Sequence, residues 1–286
     1  MNNKKVIKYL GITFLITWGI FLIRAILCNL NIIKAYDIVG YLLFGLAVLG
    51  PTVAGYICLE NRSPKRFIKM IMNHKKGTSI YIIGFSILYF LSFYASTFKF
   101  KPDMPLYIAP LIFIEMFFFG GMNEEAGWSS VLYPELEKKF NPPIATGITL
   151  VIWVCWHLPL FITHGDMHEG MSMISFVLFL FTMIMMKTAI LRRTGSIFYC
   201  GIIHALANVF DTMIAYEANT VMVIGNIIIW VVSFILWYYP KDDEELDNKK
   251  EEEIEVEKEE VITPIINPEL SNAIDMPQEK EIEELI

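Results

Sequence analysis

Glu124, Glu125, His157, His204 and Asn208 sit inside stretches otherwise made almost wholly of apolar side chains. An ionisable group at the centre of a bilayer costs at least ~2.5–3.5 kcal/mol on insertion scales, so each of these residues asks for a compensating role. A buried carboxyl group beside an imidazole can take a proton from water. A histidine and an asparagine on one helix face can donate hydrogen bonds to a developing oxyanion. Together they make an acyl hydrolase that uses water as its nucleophile and needs neither serine nor cysteine. The same groups could instead bond one another merely to fix helix packing. Two histidines and an acid could also bind zinc with water in the fourth position, although no HExxH pair supports a metal. The expectation is therefore a site without a cofactor.

These residues need helices to bring them together. Glu124 lies 17 residues before Asn141 and His157 lies 16 after it, and the Asn141, Pro142, Pro143 break marks a turn between two apolar spans. In an antiparallel pair rising ~1.5 Å per residue, the two side chains reach the same depth, which predicts that they meet near the middle of the membrane. His204 and Asn208 are spaced i and i+4 and share one face. Glu124 and Glu125 point ~100° apart, so the pair must divide its roles. Gly120, Gly121 and Gly127 would let neighbouring helices come close, and Pro159 removes a helix hydrogen bond near His157.

The rest of the chain agrees with a membrane setting. Its 286 residues are 55% hydrophobic and 19% charged, too apolar for a soluble enzyme. Apolar runs at about 6–28, 37–59, 79–98, 107–133, 144–163, 170–191, 196–215 and 220–239 predict an all-α polytopic protein with about eight transmembrane helices, each needing about 20 residues to cross. Cytoplasmic loops collect lysine and arginine. With the N-terminus inside, that side holds Lys4, Lys5, Lys8, Arg62, Lys65, Arg66, Lys69, Lys75, Lys76, Lys138, Lys139, Lys187, Arg192 and Arg193, against Lys34, Lys99 and Lys101 outside. Both termini are thus expected to be cytoplasmic. Residues 240–286 carry 18 of the 30 acidic and 5 of the 23 basic residues, which predicts a disordered cytoplasmic tail after a membrane domain over 1–239. The acidity belongs to that tail, a possible dock for a basic partner, and no nucleic-acid partner is indicated.

Other polar residues carry less information. His164 and His168 are expected as solvated loop histidines, with a metal pair as the lesser reading. Arg24 either snorkels to the surface or pairs with an acid. Trp128, Trp153 and Trp156 either wall a cavity or pack. Cys155 and Cys200 read as small core residues, and no CxxC pair points to a disulfide framework or a thiolate metal site.

Three segments, NEEAGWSSVLYPEL (123–136), WVCWHLPLF (153–161) and RTGSIFYCGIIHALANVF (193–210), resemble in order and spacing the three motifs of the CPBP intramembrane proteases. That family includes CAAX prenyl endopeptidases and bacterial proteins tied to bacteriocin processing or immunity. The resemblance covers about 120 residues and implies a glutamate-type protease. It gives Glu124 the catalytic carboxylate, His157 its partner in activating water, Glu125 the supporting carboxylate, and His204 with Asn208 the oxyanion. It also implies an arginine at position 129, where this chain has serine, and Trp153 stands where phenylalanine is common. The expectation is an intramembrane endopeptidase in a prokaryotic plasma membrane, acting on a membrane-embedded or lipid-anchored peptide. A non-catalytic immunity or scaffold protein of the same family is the alternative, and the serine favours it.

Overall fold

The computed structural model describes residues 1–59, 62–73, 79–94, 99–215 and 219–238. The acidic tail expected beyond residue 239 lies outside them. The fold is all-α and polytopic. Its helices are α1 (Asn3–Asn29), α2 (Ile38–Ile57), α3 (Pro64–Ile71), α4 (Ser79–Tyr94), α5 (Leu106–Glu137), α6 (Pro142–Phe161), α7 (Met173–Thr194), α8 (Ile197–Met213) and α9 (Thr220–Tyr238). Six of these, α1, α2, α5, α6, α7 and α9, are long and apolar enough to cross a membrane. The other two expected spans, α4 and α8, are apolar but shorter, at 16 and 17 residues. Two small elements escaped the sequence reading. One is α3, an amphipathic helix in a lysine-rich stretch. The other is an antiparallel pair of two-residue strands, Lys99–Phe100 with Ile214–Ala215.

Local chemistry sets the helix ends. Asn141, extended at φ −65° and ψ 162°, caps α6 by accepting from the Ile144 N–H, with Pro142 and Pro143 in the first turn. Ser172 caps α7 in the same way, and Gly195 ends it at φ +65°, a left-handed conformation natural to glycine. The turn between α5 and α6 therefore forms where the proline break placed it.

α5 carries the glutamate pair in its second half, where most residues from Gly121 to Leu136 are buried. Two π-helical turns, Phe117–Gly121 and Trp128–Leu132, flank the α-helical segment Met122–Gly127 that carries the glutamate pair. Such wide turns are rare and gather at functional sites. On either side α5 meets its neighbours backbone to backbone. A Cβ on Gly121 would lie 2.4 Å from the Gly201 carbonyl oxygen of α8, and one on Gly127 would lie 2.3 Å from the Pro51 carbonyl oxygen of α2. Backbone cannot swing aside as a long side chain can. Gly121→Ala is therefore expected to lower stability by roughly 1–3 kcal/mol, read as a fall in melting temperature in detergent. Gly147→Ala, where a Cβ would meet nothing within 4 Å, should leave it unchanged.

Lys187, expected in a cytoplasmic loop, instead lies well inside α7 and is 2% exposed. Arg24, also inside a helix, is fully buried and ion-paired. Removing Lys187 from the loop count leaves the strong excess of positive charge on one side in place.

Candidate active site

α5, α6 and α8 bring four of the five sequence-predicted residues, Glu124, His157, His204 and Asn208, to one cavity of about 230 Å³ that Trp153 also lines. Glu124, at 5% exposure, accepts a hydrogen bond at Oε2 from the Trp153 indole N–H at 2.7 Å. His157 lies one turn beyond Trp153 on the same face of α6, and its Nδ1 is 2.8 Å from the Trp153 carbonyl oxygen. A carbonyl only accepts, so Nδ1 carries the hydrogen and Nε2 is the nitrogen left for another partner. Among the described residues no hydrogen bond joins Glu124 directly to His157. Trp153 holds both, and both line the same cavity.

Glu125 faces elsewhere, as the 100° step requires. It is fully buried. Its Oε1 accepts from Lys187 Nζ at 2.7 Å and from His204 Nδ1 at 3.0 Å. Its Oε2 accepts from the Ser129 hydroxyl, one helical turn further along α5. His204 therefore presents Nε2 as its remaining nitrogen, and its ring packs edge-on to Trp153 at 5.2 Å between centroids. Asn208, one turn on, lines the same cavity and comes so close to α5 that a Cβ on Gly120 would lie 3.0 Å from its Nδ2.

The cavity extends to the loop between α6 and α7. There His168 does not behave as a solvated loop residue. Its Nδ1 donates to Asp166 Oδ1 at 2.8 Å, its side chain is 12% exposed, and its ring lies 5.9 Å from that of His157. The other oxygen of Asp166 accepts from Arg24 Nη1 at 2.7 Å. Arg24 also donates to the carbonyls of Gly40 and Ala35, which ties α1 and the start of α2 to the cavity wall. Burial pulls the Asp166 carboxyl upward, but the His168 and Arg24 contacts outweigh it and hold the group below the usual carboxylate range. His164, by contrast, is exposed and paired with Glu169 at 3.1 Å, so the two loop histidines serve different surroundings.

Sequence reasoning does not reveal the parts of three contributors, Lys187, Asp166 and Glu115, and it leaves Trp153 open between packing and cavity wall. Glu115 lines the cavity and accepts from the Tyr41 hydroxyl. A signal existed for Lys187, since it falls within an apolar run of helical length. Among the described residues no group of three histidine, cysteine or carboxylate side chains is gathered closely enough to hold a metal ion.

No curated relative matches the chain. Residues 106–210 match the family described as type II CAAX prenyl endopeptidase Rce1-like. This stretch begins at the first residue of α5, ends within α8, and contains Glu124, Glu125, His157, His204 and Asn208. The chain is a multi-pass membrane protein, and through that segment it is similar to the Rce1-like branch of the CPBP membrane proteases.

Proposed function

We propose that the protein is a glutamate-type intramembrane endopeptidase. A water molecule in the cavity gives its proton to Glu124 and is oriented by His157 Nε2. It attacks the carbonyl carbon of a peptide bond threaded past α5 and α6. The carbonyl oxygen becomes an oxyanion that accepts from the Asn208 amide and from His204 Nε2–H, the ring being doubly protonated with its Nδ1–H on Glu125; the bond to nitrogen breaks, and Glu124 returns the proton to the leaving amine. The observation that carries this reading is that Glu124 and His157 line one cavity with His204 and Asn208, each of the first two held by a different group of Trp153. A carboxylate and an imidazole present to a shared space, and not spent on each other, suit a proton acceptor and a water-orienting base.

The family match favours a lipid-anchored peptide of the CAAX type as substrate, and a prokaryotic plasma membrane is the proposed setting. The test is direct. Purified parent chain in detergent is expected to cleave a fluorescence-quenched peptide ending in a farnesylated CAAX sequence, and Glu124→Ala and His157→Ala proteins are not. In cells, peptides of the membrane and medium should differ between parent and Glu124→Ala. Full biological function in both variants, lost instead on removal of residues 240–286, would overturn the enzyme reading in favour of a scaffold.

A further inference from the structure

Nothing in the hydrolytic scheme uses Lys187. A lysine ammonium deep in a membrane helix is costly unless partnered, and this one has two partners. Its Nζ is 2.7 Å from Glu125 Oε1 and 3.9 Å from the centre of the Trp153 ring. The first contact falls on the same carboxylate oxygen that receives His204 Nδ1. The second falls on the residue whose indole holds Glu124 and whose carbonyl holds His157. One cation thus touches both halves of the site.

Position 129, four residues after Glu125, is where a side chain on α5 itself would reach that carboxylate. The residue there is Ser129, whose hydroxyl does bond Glu125 but brings no charge. Two carboxylates lie side by side in sequence inside the membrane, and the fixed positive charge against them comes from α7.

Resting on the endopeptidase reading, we propose that Lys187 is a positioning residue that takes the place of the arginine otherwise expected at 129. It holds the Glu125 carboxylate, and through it the His204 ring, in the orientation the oxyanion requires. The serine at 129 then marks a relocated charge and not a lost activity. An ammonium and a guanidinium are not equivalent partners.

The experiment compares Lys187→Met, which keeps length but removes charge, with Ser129→Arg in a Lys187→Ala background, which returns a cation from α5. With the farnesylated CAAX peptide as probe, Lys187→Met is expected to lower kcat about 100-fold with KM within about twofold of the parent. The double substitution is expected to restore kcat well above Lys187→Ala alone. Melting temperature in detergent should fall in Lys187→Met and recover in the double variant. If the double variant does not fold, Lys187→Arg serves as the rescue arm on the same criteria. Unchanged kcat in Lys187→Met, or no recovery when the charge is returned, would overturn the proposal. If the parent cleaves no farnesylated peptide, the endopeptidase reading fails separately. The melting temperatures then decide the charge replacement alone, recovery supporting it and no fall or no recovery overturning it.

Discussion

Glutamine in place of Glu124 is expected to abolish peptide cleavage while leaving the helix bundle as stable as in the parent. The two side chains have the same shape, and the amide oxygen of glutamine can still accept from the Trp153 indole N–H that now sits 2.7 Å from Oε2. What glutamine cannot do is take a proton from water, and loss of a general base costs about 10²–10⁴-fold in rate. Turnover of the farnesylated peptide and thermal unfolding, measured on one preparation, separate the two effects. A Glu124→Gln protein that retained turnover within about tenfold would remove the base from the mechanism. Glu125→Gln should behave differently. That carboxylate balances Lys187, and an ammonium left against a neutral amide in a buried site weakens the fold itself. Adjacent residues with the same side chain thus differ in which measurement they move.

The helix spacing that placed Glu124, His157, His204 and Asn208 at one depth was legible because a helix advances by a fixed rise and because prolines mark the turn before α6. The cavity follows from that arithmetic. The partner of each residue does not, because partners depend on side-chain direction and on helices remote in sequence. Depth alone suggested that Glu124 would touch His157. The structure ties each of them to Trp153, whose backbone carbonyl, invisible to any count of residue types, sets the hydrogen on His157 Nδ1. Lys187 was misplaced for a related reason. Rules that sort lysines to loops treat charge as a reporter of sidedness, whereas a lysine with a buried carboxylate partner obeys pairing instead. The shortness of α4 and α8 was also hidden, since an apolar run does not reveal where its helix stops.

The arginine in α1 provides the sharpest test of how the cavity is held open. Arg24 is fully buried, and its guanidinium joins three separate pieces of chain: Asp166 in the loop after α6, Ala35 in the loop after α1, and Gly40 in the first turn of α2. Methionine there would keep much of the stem but leave Asp166 buried against His168 alone and two carbonyls without their donor. Breaking a buried pair by removing one partner typically costs about 3–5 kcal/mol, much of it the penalty of an uncompensated charge. Arg24→Met is therefore expected to lower the melting temperature strongly, and Asp166→Asn in the same chain to recover part of the loss. The pH dependence has a definite sign. Because the folded protein holds the Asp166 carboxyl low, its contribution is present at neutral pH, above the unfolded value of about 3.9, and is lost as acid drives the pH down through the folded value. The gap between parent and Arg24→Met should therefore narrow in acid. A gap independent of pH, with no recovery from Asp166→Asn, would mean that α1 holds the loop by packing and not by charge. Since Asp166 and His168 also wall the cavity, turnover in Arg24→Met should fall along with stability, unlike Glu124→Gln, in which turnover falls alone.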